Sequence, residues 1–118
     1  MIDDGFFMHF ATNLYMDNSK AKASFRNSKK WKNFREELYR ESPRDYITHK
    51  KLRKGYNVHH LDLNPEHYQD VEDHGKFINV NHNTHSWIHE LYVYYHKDKA
   101  VLDRLKEVLD KMCDINCA

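Results

Sequence analysis

With 118 residues, 31% of them charged and 40% hydrophobic, the chain reads as one folded domain with a modest core. No apolar run approaches the roughly 20 residues of a membrane span, and Met1-Ile2-Asp3-Asp4 lacks the basic and apolar regions of a signal peptide, so the expected compartment is the cytoplasm. The near-neutral net charge of +1 hides an asymmetry: residues 20–54 carry 13 Lys and Arg against four acids, and residues 55–118 carry six against eleven. A basic block beside an acidic remainder favours a polyanion on one face, with a merely solvated helix face as the alternative.

In chain order, residues 1–27 form an N-terminal arm whose apolar and aromatic stretch, residues 5–16, reads as a short helix or an irregular segment, with a turn at Asp17-Asn18-Ser19. Residues 28–45 hold a basic helix. Ser28 is its N-cap, Trp31, Phe34 and Leu38 form its apolar stripe, and Ser42-Pro43 ends it. Lys29, Lys30, Lys32 and Arg35 lie on its other faces as candidate phosphate contacts, joined downstream by Arg53 and Lys54. Tyr46-Ile47-Thr48 is β-prone, and Tyr56–Leu61 returns as a strand. Residues 66–75 read as a polar loop with a turn of helix, and Phe77-Ile78-Asn79-Val80 as another strand. Asn83 or Thr84 is expected to cap a helix carrying His85 and His89, and residues 98–113 repeat apolar positions as a helix expected to pack on the core. Cys113 and Cys117 read as two reduced thiols.

Eight of the ten histidines fall between residues 59 and 96. His85 and His89 are spaced i, i+4, which stacks them on one helix face. His59-His60 closes the strand that precedes them. Neutral imidazole is the commonest nitrogen donor for first-row divalent ions. Three imidazoles from His59, His85 and His89 would leave a coordination position open, as in catalytic sites. His60 is then a candidate general base, because an imidazole can take a proton from water near neutral pH. Strand neighbours point to opposite faces, so His59 and His60 share a site only if the strand ends or bends there. Asp62 reads either as an acceptor that orients a ligating histidine or as a cap for the loop. His67, His74 and His82 read as exposed loop residues.

At Val58-His59-His60-Leu61-Asp62, Lys76-Phe77-Ile78 and His85-Ser86-Trp87-Ile88-His89 the chain resembles the HNH (ββα-metal) endonuclease family. Ser28–Arg35 looks like the helix that often precedes the motif, and Asp45–Thr48 through Leu52–Tyr56 is similar to small HNH-like proteins of phages. The resemblance covers roughly residues 28–95. It implies an α+β fold with a ββα-metal (His-Me finger) core over residues 46–95, flanked by N-terminal and C-terminal helices, in a single domain. It implies a metal-dependent endonuclease acting on double-stranded DNA, with one divalent ion (Zn, Ni, Mn or Mg) held by His59, His85 and His89, and His60 activating water. The family's middle asparagine falls at Lys76, and the paired CxxC motifs of many relatives are absent. Two other readings stand beside it. One is an HNH-fold phage protein with weak or no catalysis that binds DNA or a host protein. The other is a small domain with a structural metal site.

Overall fold

The computed structural model describes residues 18–117. Within them the chain is α+β, with four α-helices and one two-stranded antiparallel sheet. The elements are α1 (Asn18–Arg26), α2 (Lys29–Glu41), β1 (Asn57–His60), β2 (Phe77–Val80), α3 (His82–Tyr95) and α4 (Ala100–Asn116), with 3-10 turns at Pro65–His67 and His74–Lys76. The reading of residues 5–16 lies outside the described residues. No helix among them is long and apolar enough to cross a membrane.

Asn18 and Ser19 belong to α1 and not to a turn, because the Lys-Ala-Lys-Ala run that follows favours helix. Ser28 caps α2 as expected, its hydroxyl accepting from the Trp31 N–H, and the helix stops at Ser42 ahead of Pro43. Tyr46-Ile47-Thr48 is a turn, in contrast to the expected strand. The buried carboxylate of Asp45 accepts from the Ile47 and Thr48 N–H groups, each at 2.8 Å, so local side-chain capture overrides β propensity. Gly55, at φ +83°, supplies the left-handed turn that leads into β1.

β1 and β2 pair with His59 opposite Ile78 and His60 opposite Phe77. This ribbon lies between two helices. On one face Phe77 meets Phe34 of α2 at 4.7 Å between ring centroids, and Val71, Leu38 and partly buried Val58, Trp31 and Phe25 complete the apolar core. Asn79 is on that face too, donating to the Leu38 and Ser42 carbonyls at the end of α2. His59 faces the other way, toward α3.

α3 begins two or three residues earlier than a cap at Asn83 or Thr84 would place it. Its N-cap is Asn81, whose side-chain oxygen accepts from the Arg53 N–H while its amide donates to the Lys51 carbonyl. Asp45 accepts from the Asn81 N–H at 2.8 Å. Asn81 makes no side-chain cap bond to α3, and its position is held by these tertiary contacts with the 45–53 connection, which local sequence does not display. α4 departs further from expectation. None of its residues is buried, and Val108, Leu109 and Met112 are about half exposed, 53%, 50% and 54%. It runs from Ala100 to Asn116, slightly later than residues 98–113, with the Asp98 carboxylate accepting from the Ala100 N–H.

Candidate metal centre

The backbone register decides which histidines meet. β1 sends alternate side chains to opposite faces, so His59 points at α3 and His60 at α2. On α3, His85 and His89 project one turn apart toward His59. The three rings form a closed set, with centroids 5.1 Å (His59–His85), 4.8 Å (His59–His89) and 4.6 Å (His85–His89) apart. One donor nitrogen from each lies within 4.8 Å of the other two. His85 Nε2 and His89 Nε2 are 3.1 Å apart. Ligands on a tetrahedral zinc, at about 2.0–2.1 Å from the ion, stand about 3.4 Å from one another. The spacing and the all-nitrogen donor set therefore fit a first-row divalent ion, and the three histidines are close enough to bind one. All three are nearly enclosed, with 4%, 1% and 1% of their surface exposed for His59, His85 and His89.

The helix that supplies two of these donors is anchored from its N-terminus. Asp45 ties the 45–48 turn to the Asn81 N–H and to the Thr84 hydroxyl. Burial opposes the Asp45 charge, but the Thr48, Asn81, Thr84 and Ile47 hydrogen bonds outweigh it and hold the carboxyl below its ordinary pKa. Asp45 carries no metal-ligand spacing and does not stand out in the sequence as a site residue. Its only signal is an acid followed by a turn-forming run, which does not reveal that its second oxygen reaches residue 81.

His60 is not brought to the three-histidine cluster. Its ring stacks on Phe77, 4.4 Å between centroids and 13° from parallel, on the α2 face. Burial pushes its pKa below the ordinary imidazole value, against the pull of Asp62 and Asp70. Its Nε2 is buried and makes no hydrogen bond among the described residues. Asp62 does not orient a ligating histidine. Its carboxylate meets His67 Nδ1 at 2.6 Å and accepts from the Asn64 N–H, which lowers the Asp62 pKa and raises that of His67. His67 and His74 are thus engaged loop residues, His74 holding Glu41 of α2 at 2.9 Å.

The basic residues divide between the two faces. Lys29 and Lys32 are exposed on α2, and Lys30 pairs with Glu72 at 3.5 Å. Arg35 is committed inward, donating to the Tyr56 carbonyl at 2.8 Å with its guanidinium 3.9 Å from the Tyr56 ring centroid. That contact commits one of its donors to the fold. Arg53 and Lys54, with Lys50, border a groove at the start of α3 together with Asn83 and exposed Trp87. Trp87 follows His85 by two residues and so points away from it around the helix axis, and none of the three clustered histidines lines this groove. Comparison of the chain with protein-family models, with curated proteins and with solved structures returned no match.

Proposed function

We propose that the chain is a metal-dependent endonuclease that hydrolyses DNA phosphodiester bonds, with one divalent ion held by His59, His85 and His89. The observation that carries this reading is the three-imidazole cluster between a strand end and the first turns of α3, a helix whose N-terminal residues also border the Lys50–Arg53–Lys54 groove. An ion bound there supplies positive charge at a phosphate oxygen. The groove cations would position the backbone, a role for lysine and arginine that is independent of sequence. His60 is assigned the general base. Burial keeps its imidazole neutral near pH 7, and its Nε2 makes no hydrogen bond among the described residues, so it can accept a proton at that atom. The role requires the His60 ring to turn past the end of β1, where Leu61 begins a bend, toward the α3 face.

A second reading draws on two observations, the near-complete enclosure of the three ligands and the placement of His60 across the ribbon. In it the ion fastens α3 to β1, and the domain binds DNA or a host protein without cutting. Supercoiled plasmid incubated at low salt with Mg²⁺, Mn²⁺, Ni²⁺ or Zn²⁺ separates the two. The endonuclease produces nicked circles, and both His60→Ala and His85→Ala abolish them. Absence of nicking with every ion sinks the endonuclease. Nicking by wild type that persists in His60→Ala removes His60 as the base.

A further inference from the structure

The groove at the start of α3, of about 280 Å³, carries charge of one sign. Lys50, Arg53 and Lys54 are exposed along it, none of them makes an ion pair with a described residue, and no carboxylate lines it. Trp87 forms part of the same wall. It is 52% exposed, and its indole makes no ring, cation or hydrogen-bond contact with a described residue. A single exposed aromatic is ordinary on a protein surface. Here the ring shares one groove with three uncommitted cations, and the two features are fixed relative to each other. Asn81 accepts from the Arg53 N–H at 2.8 Å and donates to the Lys51 carbonyl at 3.1 Å, which pins the 50–54 connection to the helix that carries Trp87. Trp87 follows Asn81 by six residues, about 9 Å along the helix axis.

Lysine and arginine hold phosphates whatever the sequence. An open aromatic ring takes a base with equal tolerance, because every base has a π-face. In a duplex both faces of a base are covered by its neighbours in the stack, so only an unpaired base can lie on such a ring. We propose that this groove binds an unpaired stretch of a nucleic-acid strand, with one base on the Trp87 ring and the backbone along Lys50, Arg53 and Lys54. None of the three clustered histidines lines the groove, so it holds the strand and leaves the scissile phosphate to the ion. The proposal rests on the reading that the chain acts on nucleic acid, and it adds that the preferred substrate has an unpaired segment.

Fluorescence anisotropy of end-labelled oligonucleotides tests it with metal-loaded protein. The probes are a thymidine dodecamer and a blunt duplex of the same length, both with phosphorothioate linkages to resist cutting. Wild type binds the single strand at least tenfold tighter than the duplex. Trp87→Ala weakens single-strand binding fivefold or more, the loss of one stacked base, and leaves duplex binding within twofold. Trp87→Phe, which keeps a ring, loses less than Trp87→Ala. Lys54→Ala lowers the slope of log affinity against log salt for the single strand by about 0.7, the loss of one phosphate contact. Circular dichroism checks that each variant folds, and the strand preference of wild type decides alone if Trp87→Ala does not. Duplex binding as tight as single-strand binding overturns the proposal. So does single-strand binding unchanged in Trp87→Ala, which would leave the ring for a protein partner. Plasmid nicking by a protein with no strand preference removes this groove and leaves the endonuclease reading standing. Single-strand preference without nicking supports the groove and removes the hydrolysis.

Discussion

The two faces of one short ribbon use adjacent residues for different chemistry. Toward α3, β1 presents His59 to His85 and His89, on a helix whose other buried side chains, Thr84 and Ser86, are polar. Toward α2, β1 presents Val58 and His60 to Phe77, Phe34, Leu38 and Val71, an apolar core with an aromatic-walled cavity at its edge. Among the described residues six hydrophobic side chains are buried. An ion on the polar face would stabilise the side that apolar burial does not. The apolar face would hold the fold with or without the ion.

That contrast can be tested from both sides. The largest effect falls on the polar face. At a free ion concentration a thousand times Kd, wild type gains about 4 kcal/mol of unfolding free energy. His85→Ala gains none, measured by urea denaturation with and without chelator. An equal gain in both proteins would remove His85 from the site. On the apolar face, Phe34→Ala, which truncates a ring 4% exposed, costs about 3 kcal/mol. It leaves the ion stoichiometry unchanged, as measured by elemental analysis. Loss of the ion in that variant would show that the faces are not separable.

Smaller effects probe the anchor and the loop. Asp45→Ala costs about 2 kcal/mol near neutral pH, because it leaves the part-buried Ile47 and Thr48 N–H groups of the turn and the Asn81 N–H at the start of α3 unpaired. The folded pKa of Asp45 lies below its ordinary 3.8, so its contribution is present above that value and fades as pH falls through the lowered pKa. The difference between wild type and variant therefore shrinks in acid, and a difference that grows there would contradict the assignment. The smallest effect concerns Asp62 and His67. The His67 pKa is raised above 6.5 by the Asp62 hydrogen bond, so the pairing is fully present below 6.5 while Asp62 is ionised, and it fades as pH rises through the raised value. In proton NMR titration His67 titrates above 6.5 in wild type and returns toward 6.5 in Asp62→Asn.

Much of this arrangement is legible in the residues. The Ser28 cap, the Trp31–Phe34–Leu38 stripe and the Ser42-Pro43 stop define α2, because each is a local interaction within one helix. The i, i+4 pair His85 and His89, with His59 at a strand end, locates the three donors that the fold gathers. What sequence does not reveal depends on partners far along the chain. Asp45 turns β-prone Tyr46–Thr48 aside and reaches Asn81, so neither the turn at 46–48 nor the start of α3 shows in the local sequence. Strand alternation separates His60 from His59, although the two are adjacent. Arg35 reads as a phosphate contact and is held instead by Tyr56, 21 residues on. The apolar repeat of α4 carries no mark of whether its stripe is covered, and Val108, Leu109 and Met112 remain exposed.

The account depends most on a division at one peptide bond, with His59 among the ligands and His60 outside them. Metal content per chain, measured on purified wild type, His59→Ala, His85→Ala and His60→Ala after loading and desalting, tests it directly. The expected result is one divalent ion per chain in wild type and in His60→Ala, and none in His59→Ala or His85→Ala. Wild type without an ion, or loss of the ion in His60→Ala while His59→Ala retains it, would contradict the account.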